Sequence, residues 1–168
     1  NGEELPGFKS WVDWNGFTLN RQTREGHNGF DFAAYLTSDG RIILGLPPET
    51  KVRAVANGTV KQVRKDYFPY VYYLNIEHGK DDSGMFSSYH HIQPLVEVGQ
   101  VVNKGDIIAE LYKDPGKDIG RLVHLHLELN NGWGTHGTNP WGGLNERFED
   151  PWLLDKGIYK FRAQPQGS

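Results

Sequence analysis

Two short segments, far apart in the chain, carry side chains of the types that bind metal ions. The first segment contains His27 and Asp31, and the second contains His124 and His126. Successive side chains of a β-strand alternate between its two faces, so His124 and His126 point in the same direction. Imidazole and carboxylate groups suit zinc, and three protein ligands leave a fourth position for water. These residue types and spacings therefore predict an open zinc site capable of catalysis.

A glycine lies between the two candidate ligands of the first segment. Gly29 separates His27 from Asp31, just before the apolar run from Phe30 to Ala34. Because glycine tolerates backbone conformations that other residues avoid, we expect Gly29 to permit a tight bend. Such a bend would let both His27 and Asp31 face inward.

The composition limits the class of protein. A length of 168 residues fits one domain with one core. The 18 basic and 21 acidic residues give a net charge of −3, which does not favour nucleic-acid binding. The chain has no cysteine, so a metal ion would depend on histidine and carboxylate ligands. It also has no apolar stretch long enough for a transmembrane helix and no visible signal peptide, and we interpret it as a mature or trimmed fragment.

The elements that would position these ligands are short β-strands separated by turns. The predicted strands are 41–46, 51–56, 59–63, 71–77, 86–91, 101–102, 107–112 and 123–129. Turns are predicted at the pairs Asp39-Gly40, Asn57-Gly58, Lys104-Gly105 and Asn131-Gly132, because Asn and Gly tolerate positive φ. The pattern predicts an all-β, antiparallel protein with little helix, except for a possible helical turn within 145–154.

Three regions are distinguished along the chain. We predict an N-terminal arm over residues 1–22, a single domain over 23–154 and a C-terminal tail over 155–168. The arm contains Trp11, Trp14 and Phe17, which indicates that it packs on the domain.

The segment from Val96 to Glu110 resembles the glycine-punctuated hairpin of biotinyl and lipoyl carrier domains. A carrier presents its modified lysine at an exposed turn, and Lys104 lies in an Asn-Lys-Gly turn. It lacks the flanking acidic or methionine residues of those domains, however, so we interpret this hairpin as structural and keep carrier function as a minor alternative.

Four motifs, in order, resemble those of the lysostaphin-like, LytM-type zinc metallopeptidases, which cut peptide bonds in bacterial peptidoglycan. The motifs are Arg24 to Ala34, with its HxGxD element; Pro48 to Val60; Tyr89 to Ile92, like Tyr-x-His-Leu; and His124 to Leu129, like HLHFE. The resemblance covers about Arg24 to Leu153. It implies a sandwich of antiparallel strands, similar to a barrel and resembling the duplicated hybrid motif.

The resemblance also implies a role for each site residue. His27, Asp31 and His126 would be the zinc ligands, and His91 and His124 would be catalytic histidines beside the metal ion. Histidines with pKa values near the working pH suit proton transfer and oxyanion stabilisation, although the sequence does not divide these tasks between the two. Glu128 would either fix an imidazole tautomer or form a salt bridge elsewhere.

The remaining histidines are given structural interpretations. His78 is expected in a His-Gly turn at a strand end, and His136 in an exposed glycine-rich loop with Trp133 and Trp141. His90 neighbours His91 on one strand, so alternation predicts that it points outward to solvent.

The chain departs from the family pattern after Asp31. About a dozen residues, from Tyr35 to Leu46, separate the HxGxD element from the next motif. We interpret this insertion as a hairpin that borders the cleft.

The main hypothesis is a zinc metalloendopeptidase that hydrolyses peptidoglycan. The resemblance further implies an exported protein, acting as a monomer in the periplasm, cell wall or extracellular space, with no nucleic-acid partner. The alternatives are a non-catalytic LytM-type domain that activates another wall hydrolase, and a mononuclear iron oxygenase, which also uses two histidines and a carboxylate. The presence of His27, Asp31 and His126 together with His91 and His124 favours activity over the first alternative. The His27-to-Asp31 spacing and the two extra histidines favour hydrolysis over the second.

Overall fold

The computed structural model describes the residues that form the sheets and much of the candidate site. These residues are 2, 4–14, 29–64, 72–79, 85–112, 122–131 and 147–149. His27, His136 and the predicted tail 155–168 lie outside the described residues, as do Trp133 and Trp141.

Thirteen strands are described. They are β1 Phe8–Trp11, β2 Phe30–Phe32, β3 Ala34–Thr37, β4 Ile42–Leu44, β5 Lys51–Arg53, β6 Gly58–Arg64, β7 Tyr73–Glu77, β8 Met85–His90, β9 Ile92–Pro94, β10 Val101–Val102, β11 Ile107–Leu111, β12 Leu125–Asn131 and β13 Arg147–Glu149.

The strands form three open sheets, and every described pairing is antiparallel. The largest sheet has the order β10-β6-β7-β8-β12-β13, with β2 also paired to β12; the other two have the orders β1-β3-β4 and β5-β11-β9. The all-β, antiparallel prediction is confirmed, although the described sheets do not close into a barrel. The expected helical turn within 145–154 was wrong at Arg147–Glu149, which forms β13 on the end of β12. The described residues contain no helix that could cross a membrane.

The two faces of the large sheet differ in chemistry. Cross-strand register places Phe30, Leu127, Tyr89 and Leu74 side by side, and all four belong to the hydrophobic core. The residues next to these four in each strand point to the opposite face of the sheet, because neighbouring side chains along a strand alternate between its two faces. The polar face that results from this alternation carries the candidate site.

The N-terminal segment takes part in the fold through aromatic packing. β1 pairs with β3, and Leu5 is buried in the core. The Trp11 ring lies 5.0 Å from the Phe32 ring, and the Phe8 ring lies 5.1 Å from the Trp11 ring. Aromatic rings prefer such edge-to-face contacts, because the positive edge of one ring meets the negative face of the other.

The predicted inserted hairpin is present as β3 and β4. The two strands are joined by a turn in which Gly40 has a φ of 87°, as the Asp39-Gly40 pair predicts. Gly58 differs from its prediction, because it begins β6 instead of forming a hairpin turn. A Cβ atom there would lie 2.6 Å from Cγ2 of Ile76, so this glycine is required by close strand packing.

The carrier-like hairpin is held against the rest of the domain. The backbone N–H of Lys104 donates to Oδ1 of Asn57 at 2.7 Å, and the N–H of Gly105 donates to the carbonyl of Ala54 at 2.9 Å. The turn that carries Lys104 is therefore fastened by hydrogen bonds, which supports the structural interpretation over carrier function.

Candidate active site

Asp31 and His126 lie directly opposite each other on paired strands. β2 pairs with β12 so that Asp31 faces His126, and Oδ1 of Asp31 lies 2.8 Å from Nδ1 of His126. His124 precedes β12, and its Nε2 atom lies 3.7 Å from the same carboxylate oxygen. Leu125 and Leu127 pack on the opposite side against the core. The two histidines of the His-Leu-His segment thus share one face, on which they meet Asp31.

Gly29 allows β2 to approach β12 closely. A Cβ atom at this position would lie 2.8 Å from Nε2 of His126 and in still closer contact with the backbone oxygen of Leu127. Real Cβ atoms essentially never make such close contacts. The glycine of the motif therefore makes room for the His126 ring and for the strand that carries it.

His91 joins this group because the chain turns sharply between β8 and β9. Its φ of 63° is the left-handed conformation, which is uncommon for a residue other than glycine. Its ring centroid lies 4.6 Å from that of His124 and 6.4 Å from that of His126. The carbonyl of His91 accepts a hydrogen bond of 3.1 Å from the N–H of Tyr112, which ties this turn to the end of β11.

The expectation that His90 points outward was wrong. His90 is only 3% exposed and packs its ring 5.4 Å from Tyr73, nearly parallel to it. Strand alternation failed as a guide because the left-handed backbone at His91 interrupts the strand. The orientation of His90 follows from the cross-strand register, which aligns it with His126 on one neighbouring strand and with Tyr73 on the other.

Glu128 lies on the other side of the His126 ring. Its Oε1 atom is 2.9 Å from Nε2 of His126 and 3.8 Å from Nε2 of His90. A buried carboxylate is costly unless polar or charged groups compensate it, and these two imidazoles supply that compensation. Of the two roles considered for Glu128, contact with an imidazole is the one observed.

Two carboxylates dominate the charge state of His126. Burial lowers the pKa of His126, but hydrogen bonds with Asp31 and Glu128 outweigh burial and raise this pKa to about 9. For His90, burial outweighs the attraction of Glu128 and lowers the pKa to about 4. The His126 imidazole therefore occupies an environment that favours a positive charge, whereas His90 is held neutral.

His124 has a defined tautomer when it is neutral. Its Nδ1 atom lies 2.6 Å from the carbonyl oxygen of Leu122. A carbonyl can only accept a hydrogen bond, so Nδ1 carries the proton and Nε2 keeps its lone pair. Nε2 is the atom that faces Asp31, so His124 presents a proton acceptor to the site.

Two groups of metal-binding atoms share His126, one on each ring nitrogen. On the Nε2 side, ligand atoms of His90, His126 and Glu128 lie within 4.8 Å of one another. The side chains of His90 and Glu128 are only 4% and 3% exposed, whereas those of Asp31 and His124 are each 12% exposed. An open zinc site needs room for water, so the donors on the Nδ1 side fit it better. The remaining proposed ligand, His27, lies outside the described residues.

His78 and Tyr89 belong to a partly buried polar network on the core-facing side of β8. Nδ1 of His78 donates to the carbonyl of Asn57 at 2.8 Å, and Oγ of Ser87 lies 2.7 Å from Nε2 of His78. Tyr89 lies 3.0 Å from Ser87 and accepts the N–H of Val55 at 3.0 Å. Burial lowers the pKa of His78 and raises that of Tyr89 to about 12. These contacts support the structural interpretation of His78 and place Tyr89 in the core.

Sequence and fold comparisons identify the family and the fold of this chain. A family model described as peptidase family M23 matches residues 25–140. The chain belongs to peptidase family M23. The match includes Asp31, His91, His124 and His126, and it also includes His27. No curated protein sequence gives a significant match.

Solved structures share the fold of this M23 chain. The catalytic domain of lysostaphin from Staphylococcus simulans, an antimicrobial peptidase, has a TM-score of 0.58 at 16% identity, covering 93% of this chain and 98% of that domain. The catalytic domain of the prophage-encoded M23 protein EnpA from Enterococcus faecalis has a TM-score of 0.54 at 18% identity, with coverages of 88% and 95%. LytU has a TM-score of 0.52 at 24% identity, with coverages of 74% and 77%.

The chain corresponds to only part of some structural neighbours. It spans 54% of the full lysostaphin structure determined in solution and 34% of a zinc-containing peptidase from Vibrio cholerae.

Proposed function

We propose that this M23 chain is a zinc-dependent endopeptidase that hydrolyses peptide bonds in bacterial peptidoglycan. The observation that carries the proposal is the convergence of His126 Nδ1 and His124 Nε2 on one oxygen of Asp31, at 2.8 and 3.7 Å. In the proposal, His27, Asp31 and His126 hold the metal ion, and His91 and His124 carry out proton transfer and charge stabilisation.

A zinc ion bound by these three residues would polarise the scissile carbonyl and lower the pKa of a water molecule. The ligand set fits this task because it consists of imidazole and carboxylate groups, because the His126 imidazole would release its proton when the metal binds, and because the Asp31 side is partly open. Glu128, at 2.9 Å from Nε2, would hold the His126 ring so that Nδ1 faces the metal position.

His124 is the proposed general base. Its Nδ1 proton is engaged by the Leu122 carbonyl, so Nε2 is free to accept a proton from the attacking water molecule. The same proton can then pass to the leaving amine nitrogen as the peptide C–N bond breaks. The contact with Leu122 fixes both the tautomer and the direction of the ring.

His91 is the proposed donor to the oxygen of the scissile carbonyl. Its ring centroid lies 4.6 Å from that of His124, and it reaches the site from the turn between β8 and β9. A donor held in place before the reaction stabilises negative charge on that oxygen as it develops. The left-handed backbone at His91 supplies this placement.

Cleavage of purified peptidoglycan by the metal-loaded chain tests the proposal. We expect new peptide amino termini to accumulate, chelation to abolish their release and added zinc to restore it. A chain that binds the wall or another hydrolase without creating new termini would instead support the non-catalytic alternative. Full activity of a metal-free preparation, or dependence on iron and oxygen, would contradict zinc hydrolysis.

A further inference from the structure

The outer strand of the inserted hairpin has a free edge. β4 is the last strand in the β1-β3-β4 sheet, and within the described ranges no strand pairs with its outer side. Exposed strand edges readily add another extended chain, so proteins usually protect them with charges, proline or bulges. β4 reads Ile-Ile-Leu and has none of these devices.

The register identifies which backbone groups point outward. The N–H of Thr37 donates to the carbonyl of Arg41 at 2.8 Å, and the N–H of Gly45 donates to the carbonyl of Ala33 at 2.7 Å. In an antiparallel pair, hydrogen-bonded positions alternate with positions whose groups face away. Ile42 and Leu44 lie at the alternate positions, so their N–H and carbonyl groups face away from β3.

The same two residues expose apolar side chains. Ile42 is 58% exposed and Leu44 is 50% exposed, whereas Ile43 between them packs against the core. Among the described residues, nothing pairs with the outward amides of Ile42 and Leu44. The edge therefore offers two amides and two apolar side chains, in the alternating arrangement that binds an extended peptide.

This edge leads into the candidate active site. Gly45 lies opposite Ala33, which follows Asp31 by two positions, or about 7 Å of extended chain. The next residue, Leu46, donates its N–H to the carbonyl of Val123 at 2.8 Å, directly before His124. A peptide paired with β4 would thus extend towards the segments that carry Asp31 and His124.

We propose that the free edge of β4 is a substrate subsite that binds an extended peptide by β-pairing with Ile42 and Leu44. This inference rests on the proposed peptidase function and adds the way in which substrate is held. The matching substrate class is an uncharged peptide with small apolar side chains on one side of the scissile bond. A charged side chain in the bound peptide would make no favourable apolar contact with the exposed Ile42 and Leu44 side chains.

Proline at position 42 tests the backbone contact directly. Ile42→Pro removes one outward N–H, and an edge strand tolerates proline where the N–H faces solvent. We expect kcat/KM on peptidoglycan to fall roughly two- to tenfold, the effect of one hydrogen bond. Ile42→Val keeps the N–H and the branched side chain, so it should lower kcat/KM less than Ile42→Pro does. The matched control outside the subsite is Val101→Pro, at an exposed position of the edge strand β10, which should retain wild-type kcat/KM.

A second pair of variants separates the apolar contact from general surface effects. Leu44→Ala should lower kcat/KM, whereas Val98→Ala removes a similarly exposed apolar side chain, 63% exposed, outside β4 and should not. Equal effects of Leu44→Ala and Val98→Ala would contradict a subsite at β4.

Amide hydrogen exchange provides a test that does not depend on tolerance of proline. Soluble muropeptides added to the His124→Ala variant should slow exchange at Ile42 and Leu44, because the peptide then accepts their hydrogen bonds. Cleavage by the wild type, combined with unchanged exchange at these amides in the presence of bound muropeptide, would overturn the subsite and leave the proposed function intact. If protection of these amides rises with protein concentration in the absence of peptide, the edge pairs with a second copy of the chain. That result would also overturn the subsite. No cleavage by the wild type would overturn the proposed function and the subsite together.

Discussion

Nδ1 of His126 lies 2.8 Å from Oδ1 of Asp31, although the two residues are 95 positions apart in the chain. The relationship arises from the pairing of β2 with β12, which sets the residues directly opposite each other. Glu128 meets the other nitrogen of the same ring at 2.9 Å. One imidazole is thus held between two carboxylates, and the two sides can be tested separately.

The metal is expected on the Asp31 side of His126. Asp31→Asn keeps the size of the side chain but removes its charge, and we expect zinc affinity to fall by at least about 100-fold. Glu128→Gln keeps a hydrogen-bond acceptor for Nε2 and should weaken zinc binding only about tenfold, as expected for a group that orients a ligand. Titration of each metal-free protein against a zinc buffer measures both affinities.

The reverse order of these two effects would contradict the assignment. If Glu128→Gln lost zinc while Asp31→Asn retained it, the metal would lie on the Nε2 side with His90. Asp39→Asn, at an exposed turn, serves as the control for removing an aspartate charge and should leave zinc affinity unchanged.

His124 is expected to affect turnover without affecting metal content. His124→Ala removes the proposed general base, whose loss typically costs about 10²- to 10⁴-fold in rate. Zinc should stay bound at one ion per chain, because His124 is not a proposed ligand. Peptidoglycan cleavage rates and elemental analysis of the same sample test the two statements, and loss of zinc from the variant would show that His124 is a ligand.

Gly29 is expected to be essential for the geometry of the metal site. In Gly29→Ala, the added methyl group would displace the His126 ring, so we expect loss of zinc binding in addition to loss of stability. Gly58→Ala is a matched control, because its methyl group would also meet a neighbouring strand, 2.6 Å from Ile76 Cγ2, but at β6 and β7.

Zinc content per folded molecule distinguishes the two glycine variants. Both should unfold at lower denaturant concentration than the wild type, and only Gly29→Ala should lose zinc. Equal zinc content in the two folded variants would contradict the positioning role of Gly29.

The sequence was sufficient to predict much of the fold but not its register. Alternating apolar residues predicted β6, β7, β8, β11 and β12 near their observed bounds, because each strand buries one face. The short strands β9 and β13 were not predicted, because neither has enough alternation or a neighbouring glycine-containing turn to mark it.

The residues of the candidate site could likewise be predicted from the sequence, but not all of their orientations. The resemblance supplied the candidate residues, and the structure brings Asp31, His91, His124 and His126 together. His90 was misplaced because its orientation depends on a left-handed residue and on neighbouring strands, neither of which a local pattern contains. The division of the site residues into ligands and catalytic groups therefore stays a prediction.

His78 is expected to make stability depend on pH. Burial lowers its pKa below the ordinary value of 6.5, so the unfolded chain binds a proton more readily than the folded chain. The stability contributed by neutral His78 is complete above pH 6.5 and is lost as the pH falls from 6.5 through the lower folded-state pKa. Urea unfolding of the wild type and His78→Gln across this range measures the effect, since Gln does not titrate.

The difference between the two unfolding curves isolates His78 from other titrating groups. The free energy of unfolding of the wild type should fall more steeply on acidification than that of His78→Gln. Parallel curves would show that His78 does not titrate between the folded and unfolded states as its burial implies.

We propose that this M23 chain hydrolyses a peptide bond in peptidoglycan by means of this site. Mass spectrometry of fragments released in water labelled with heavy oxygen tests it most directly. Zinc-loaded protein should release peptides with a new amino terminus and one heavy oxygen atom in the new carboxylate, and His124→Ala should release them at least about 100-fold more slowly. Cleavage confined to glycan bonds, or equal peptide release by His124→Ala, would show that this site does not hydrolyse peptide bonds as proposed.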